Sequence, residues 1–214
     1  MKLTWIGHSC FKIEEGGYTI ITDPSADGKV PGLKNVREEA DLVLCSHEHF
    51  DHNARECVKI KDSGAKAPVI TRIETYHDDK MGKLRGNNTI HIMDFGGIKL
   101  AHFGDLGCRP GSGQMEQLKG LDIAIVPIGG FYTIDTAQAV ELINELDPKL
   151  VIPMHFKNTD AGFGFDEIST ADEFITTVGR IILTPCETLD IVSVERKNAI
   201  VMKPRNMICG GSKR

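Results

Sequence analysis

The chain has 214 residues, 41% of them hydrophobic and 26% charged, an ordinary globular balance that excludes whole-chain disorder and collagen-like or coiled-coil architectures. Acidic side chains outnumber basic ones, 30 to 25, for a formal charge of -5, which disfavours nucleic acid as a bulk partner. At ~150 residues per domain the length fits one domain over 1–205 with a flexible tail over 206–214.

Three short strands open the chain, Leu3 to Ile6, Cys10 to Ile13 and Tyr18 to Thr22, with Gly16-Gly17 turning the last two into a hairpin. The apolar start is cut short by His8 and Ser9, too soon for a secretion signal, and no apolar run reaches the ~18 residues of a membrane-spanning helix. The expectation is therefore a cytoplasmic protein with no membrane span, and the sequence leaves the oligomeric state, a homo-oligomer included, open. Pro24 to Asn35, rich in Pro, Gly, Asp and Ser, reads as a long loop of the kind that lines sites. Leu42 to Cys45 is a buried-type strand that runs directly into Ser46-His47-Glu48-His49-Phe50-Asp51-His52.

A helix is expected next, with Asn53 as N-cap, Glu56 three residues on, Ala54, Cys57 and Val58 at helical spacing, and Gly64 as its stop. Pro68 to Ile73 is extended, Thr89 to Met93 and Ile98 to Phe103 form a hairpin around Gly96-Gly97, Ser112 to Lys119 is a short helix and Ile123 to Ile128 a buried strand. Asp135 and Gln138 form a capping box for the clearest helix, with Ala139, Leu142, Ile143 and Leu146 on one face and Pro148 past its end. Strand Leu150 to Pro153, a helix capped by Thr170 and Glu173, and strands near Ile181 to Leu183, Leu189 to Val194 and Ala199 to Met202 complete the order. Helices with one apolar face each should cover sheets that pack on one another, giving four layers: helix, sheet, sheet, helix.

His47-x-His49-x-Asp51-His52 packs four metal-ligand side chains into six residues after an apolar strand. On a roughly extended backbone positions 47, 49 and 51 face one side and His52 the other, so a tight loop can feed two adjacent metal ions. His77, Asp105 and His155 each follow a predicted strand, where the chain is released into site-forming loops. Imidazole and carboxylate ligands without Cys suit two divalent metal ions, Zn by default, with Mn or Fe as alternatives. The six cysteines (Cys10, Cys45, Cys57, Cys108, Cys186, Cys209) form no C-x-x-C pair and read as reduced, small buried side chains. Ser9, Ser46 and Cys10 sit in no nucleophile turn of the G-x-S-x-G kind and read as packing or hydrogen-bonding residues.

The histidine run with the later His77, Gly104-Asp105 and Pro153-Met154-His155 resembles the metallo-β-lactamase superfamily of metal-dependent hydrolases. Gly7-His8-Ser9, Thr22-Asp23-Pro24 and Pro127-Ile128-Gly129-Gly130 are similar to the branch that includes ascorbate-6-phosphate lactonase and N-acyl-phosphatidylethanolamine phospholipase D. The resemblance runs from residue 3 to about 202 and implies an α/β fold, a four-layer αββα sandwich of the metallo-β-lactamase type. It implies His47, His49 and His77 on a first metal, Asp51, His52 and His155 on a second, and Asp105 as the bridge. Flavodiiron relatives carry an acid where His49 stands, which disfavours redox chemistry.

A metal pair generates a nucleophile from a bridging water and acts as a Lewis acid, so the expected activity is hydrolysis of a small-molecule ester, lactone or phosphodiester by a bridging hydroxide, with Asp51 and Asp105 catalytic. A nucleic-acid phosphodiesterase and a non-catalytic metal-binding protein that kept the fold are the rival readings. His8 and Asp23 are expected near the site, either there for its chemistry or to hydrogen-bond a loop. His102 is expected behind the ligands, and His91 at the surface. Glu48, Asp78 and Asp79 read as solvated or supporting carboxylates. Gly129-Gly130 reads as a close approach to substrate or a tight turn, Phe131, Tyr132 and Thr133 as a pocket wall with Tyr132 a candidate proton donor, and Lys29, Lys34, Arg85 and Lys157 as loop cations able to meet an anionic group.

Overall fold

The computed structural model describes residues 1–159, 161–191 and 197–208. The second half of the strand expected at Leu189 to Val194, Cys209 and most of the tail lie outside the described residues. In chain order the elements are β1 (Lys2–Gly7), β2 (Cys10–Glu15), β3 (Tyr18–Thr22), β4 (Glu38–Ala40), β5 (Leu42–Leu44), a single 3-10 turn (Arg55–Cys57), β6 (Val58–Ile60), β7 (Val69–Tyr76), β8 (Asn87–Asp94), β9 (Lys99–His102), α1 (Ser112–Gln117), β10 (Ile123–Pro127), α2 (Thr136–Leu146), β11 (Leu150–Met154), α3 (Asp172–Thr177), β12 (Ile181–Ile182), β13 (Thr188–Asp190) and β14 (Asn198–Ala199).

They assemble into a five-stranded sheet of order β13-β1-β2-β3-β5, a seven-stranded sheet of order β12-β14-β11-β10-β9-β8-β7, and a two-stranded pair, β4 with β6. Strand alternation decides what each face of the smaller sheet buries. Leu3, Trp5, Phe11, Ile13 and Ile20 enter the main core shared with the larger sheet. Ile6, Cys10 and Ile21 instead meet Val36, Ala40 and Val58 in a second cluster. In the larger sheet β10 and β11 are parallel and buried at every residue, which is why both read as unbroken apolar runs. The β7-β8-β9 edge is an antiparallel meander.

Helix α2 carries the expected capping box. Asp135 Oδ1 accepts the Gln138 N–H at 2.9 Å, and Gln138 Oε1 accepts the Asp135 N–H at 3.0 Å. Its buried stripe of Ala139, Leu142, Ile143 and Leu146 faces the sheet. For α3 the Thr170 hydroxyl donates to the Asp172 carboxylate at 2.8 Å and does not cap the helix.

The α/β sandwich is the one expected, but the cover of its smaller sheet is not. The helix expected after Asn53 is only the 3-10 turn Arg55–Cys57, followed by strand β6 paired in parallel with β4. Asn53 spends its amide on Glu48 instead of capping, and branched Val58 and Ile60 favour extended backbone. The outer face of the five-stranded sheet is thus covered by a β ribbon through Ala40 and Val58. Asn206 to Ile208, within the segment expected to be loose, are held to Gly32, Leu33 and Lys34 by backbone hydrogen bonds and a β-bridge.

Candidate metal centre

The loop leaving β5 is a turn, not the extended run expected. The His49 carbonyl accepts the N–H groups of His52 and Asn53 at 2.9 and 3.1 Å, and this turn divides the ligand run. His47 and His49 fall in with His77 at the end of β7, while Asp51 and His52 fall in with His155, which follows β11. Asp105 stands between the two sets. Its Oδ2 lies 3.2 Å from Nε2 of His52, His77 and His155, and 4.0 Å from Nε2 of His47. Gly104 is required just before it: a Cβ there would sit 2.3 Å from Asn88 Oδ1 and 2.4 Å from Ser46 Cβ, and its φ is +56°. All the side chains predicted from the sequence as ligands are therefore brought together. His155 and Asp23 adopt left-handed backbone, φ +53° and +39°, strain of the kind that persists where surrounding structure over-determines a site.

Behind the ligands, Asp23 is a fully buried hub. Its Oδ1 accepts the Ser46 N–H at 2.7 Å, and its Oδ2 accepts the Ser46 hydroxyl at 2.7 Å and His52 Nδ1 at 2.8 Å. With its hydroxyl proton committed to Asp23, Ser46 Oγ accepts from His47 Nδ1 at 2.9 Å. His77 Nδ1 donates to the Tyr132 carbonyl at 3.1 Å. These bonds assign the ring proton to Nδ1 in all three imidazoles and leave each Nε2 bare to ligate. His102 has neither nitrogen free: Nε2 donates to the Ser9 carbonyl at 2.8 Å and Nδ1 accepts the Gly104 N–H at 3.2 Å. It supports the backbone around the site, as expected.

Buried His47 Nε2, His52 Nε2 and Asp105 Oδ1 have no hydrogen-bond partner. Bare nitrogens and a carboxylate facing one another out of water are costly unless a cation joins them, so the donor set fits divalent metal. The electrostatics agree. Burial, helped by the neighbouring His52, pushes His47 down to about 3, and burial also lowers His49. Burial opposes charge on Asp105 and Asp51, yet the adjoining imidazoles, His155 and His52 for the former and His52 for the latter, hold both carboxyls below the usual range. Burial likewise opposes charge on His52, but Asp105, Asp51 and Asp23 raise it well above the ordinary imidazole value, so without a cation its Nε2 holds a proton, which a metal ion bound there would displace.

The ligands open onto a cleft of about 310 Å³ walled by Phe50, Tyr132, Phe165 and Arg85. Arg85 and His49 also line an adjoining cavity of about 370 Å³. The Arg85 guanidinium lies 5.6 Å from the Tyr132 ring centre and 6.0 Å from that of Phe131. Asp78 positions this arginine from below: its buried carboxylate accepts the N–H groups of Lys80, Gly82, Leu84 and Arg85 at 2.8 to 3.1 Å. Of the other loop cations, Lys29 lies over the Phe50 ring at 5.7 Å and Lys157 donates to the Asp166 carbonyl.

Several sequence expectations need correcting. Of the two readings of Gly129-Gly130 the tight turn holds: Gly130 has φ +64° and its carbonyl accepts the Tyr132 and Thr133 N–H groups, while a Cβ on Gly129 would stand 2.1 Å from the His155 carbonyl oxygen. His91 is 3% exposed, not at the surface, because its strand β8 lies inside the larger sheet. Of the five described cysteines only Cys10 is fully buried. Burial raises the thiols of Cys10 and Cys45, the latter to about 12, so neither offers a thiolate. Phe165 was not anticipated as a wall of the cleft, and Asp78 was read only as a solvated or supporting carboxylate without the loop it holds. The alternation Gly162-Phe163-Gly164-Phe165 and the polar run Asp78-Asp79-Lys80 with Gly82 beyond were the available signals.

Two packed sheets with a buried histidine and aspartate centre on the loops that leave their strands define a metal-dependent hydrolase of the metallo-β-lactamase kind. The chain belongs to the β-lactamase superfamily, whose domain model matches residues 2–155. It is 31% identical over 185 residues to a UPF0173 metal-dependent hydrolase of Natranaerobius thermophilus, covering 73% of this chain and 83% of the relative. A UPF0173 metal-dependent hydrolase of Thermococcus onnurineus is 29% identical over 229 aligned positions, covering 89% and 100%. A solved Thermotoga maritima structure, assigned to the Zn-dependent hydrolases of the metallo-β-lactamase superfamily, superposes with a TM-score of 0.74 at 30% identity, covering 94% of this chain and 97% of that one.

Proposed function

We propose that the chain hydrolyses a small-molecule ester, lactone or phosphodiester that carries an anionic group beside an apolar portion, using two divalent metal ions, Zn by default. The observation that carries this reading is the position of Asp105 Oδ2, 3.2 Å from imidazole nitrogens of both ligand sets. His47, His49 and His77 would hold one ion, Asp51, His52 and His155 the other, and Asp105 both. Two such ions would supply a Lewis acid and a water with a pKa of ~7.

The chain's own residues do the rest. Asp51, ionised and lining the cleft, orients the attacking water by accepting its hydrogen bond. Arg85 offers a forked donor to a carboxylate or phosphate of the substrate. Phe50, Tyr132 and Phe165 cover the apolar portion and exclude bulk water, and the Tyr132 phenol is the candidate donor to the leaving group.

The test is the full chain loaded with Zn, Mn or Fe and assayed on chromogenic phosphodiesters, phosphomonoesters, lactones, esters, thioesters and a cephalosporin. Turnover of an ester, lactone or phosphodiester that falls with Asp105→Asn is the expected result. Two bound ions with no turnover in any class would remove the hydrolase reading.

A further inference from the structure

We infer that His8 is an additional ligand of the position formed by Asp51, His52 and His155. The inference rests on the reading of those residues as a metal centre. A ring nitrogen of His8 lies within 4.8 Å of the donor atoms of all three, and its Nε2 is 3.5 Å from Asp51 Oδ2. Its ring centre is 4.2 Å from that of His155 and 5.6 Å from that of His52. The side chain is 1% exposed, yet neither ring nitrogen has a hydrogen-bond partner. A buried imidazole that packs for structural reasons satisfies its nitrogens. One with both nitrogens free, facing a carboxylate and two further imidazoles, has the surroundings of a ligand.

The turn that presents His8 is built to hold this direction. His8 sits between β1 and β2 with φ +54°, a left-handed conformation that a non-glycine residue adopts at a cost. Its carbonyl accepts the Trp5 indole N–H at 2.9 Å, and the next carbonyl, Ser9, accepts from His102 Nε2 at 2.8 Å. Both anchors are buried side chains, and each commits a ring N–H to this one turn. Phe165 packs edge-on against the His8 ring with centres 5.4 Å apart, shielding it from the cleft. His8 therefore approaches from the protein side. The position would then have His8, Asp51, His52, His155 and the shared Asp105 as donors, one more than a closed tetrahedral zinc site uses.

The experiment uses the full chain, stripped with chelator and titrated with Zn, Mn and Co(II), comparing the native protein with His8→Ala and His8→Gln. Two ions are expected to bind the native protein. In His8→Ala one binding step should weaken by at least ~10-fold, the lower bound for losing a partner of a metal ligand, while the other is unchanged, which also reports that the variant is folded. The Co(II) d–d absorption of the weakened position should intensify as its coordination number falls. Gln can donate a hydrogen bond but replaces an imidazole ligand poorly, so His8→Gln should behave like His8→Ala. Unchanged affinities and spectra in both variants would overturn the inference. Recovery in His8→Gln alone would also overturn it, because His8 would then act by hydrogen-bonding Asp51. A native chain that takes up fewer than two ions overturns the reading of the centre and the role of His8 with it, whereas the two preceding results overturn the role of His8 alone.

Discussion

Asp23 Oδ2 stands 2.8 Å from His52 Nδ1 and 2.7 Å from Ser46 Oγ, which in turn meets His47 Nδ1 at 2.9 Å. One carboxylate thus orients an imidazole on each side of Asp105. Asp23→Asn should weaken metal binding at both positions, by ~10–100-fold for loss of a supporting carboxylate. Ser46→Ala should weaken only the His47 side. Step-resolved metal titrations check this, and an Asp23→Asn protein with native affinity at both steps would rule out the hub role.

Asp105 and His102 are close in sequence but differ in kind. Asp105 presents its oxygen to the ligand nitrogens, whereas both nitrogens of His102 are used on backbone. Asp105→Asn should lower occupancy of both metals and cut activity by more than His102→Ala does. Elemental analysis beside kcat measurements decides, and the reverse order would exchange the two roles.

Arg85 should govern the preference for anionic substrates. Arg85→Met keeps the stem over Tyr132 and removes the fork, so KM for an anionic substrate should rise by roughly 10-fold or more, as expected for a charge-assisted pair of ~1.5–3 kcal/mol. A neutral analogue should be little affected. Equal losses for both substrates would mean that Arg85 acts through folding.

His91 should make the protein acid-sensitive independently of metal. Burial lowers it from 6.5 to about 4, so on acidification the unfolded chain takes up this proton first. The neutral form's advantage is complete above about pH 6.5 and is lost as pH falls toward 4. At ~1.4 kcal/mol per pKa unit this is roughly 3 kcal/mol. Denaturant unfolding of metal-free protein across this range should show His91→Leu losing less stability than the native chain. Parallel curves would assign the acid sensitivity to other groups.

Strand signals were the most readable part of this sequence. Unbroken apolar runs such as Ile123 to Ile128 could only be buried centrally, and the Asp135-Gln138 box carried its own stereochemistry. The stretch from Asn53 was misleading because capping residues and branched residues competed within a few positions, and the partner strand that decided the outcome, β4, lies before the histidine run. The candidate ligands could be singled out because their residue types are rarely clustered otherwise, and the structure brings them together. The assignment of His8, the hub role of Asp23 and the wall contributed by Phe165 depend on side chains meeting from distant strands, which spacing along one segment cannot encode.

The Asp78 loop has a consequence for how specificity can change. His77 N–H donates to the Gly86 carbonyl at 3.0 Å, and the Gly107 N–H donates to the Tyr76 carbonyl at 2.9 Å, so the stem is locked where the ligand leaves β7. Everything between, including Arg85, hangs from the Asp78 carboxylate. The segment from 79 to 85 is thus tied down separately from the stem that fixes His77, so a change of side chain at Arg85 can alter what meets the cleft without moving the histidine.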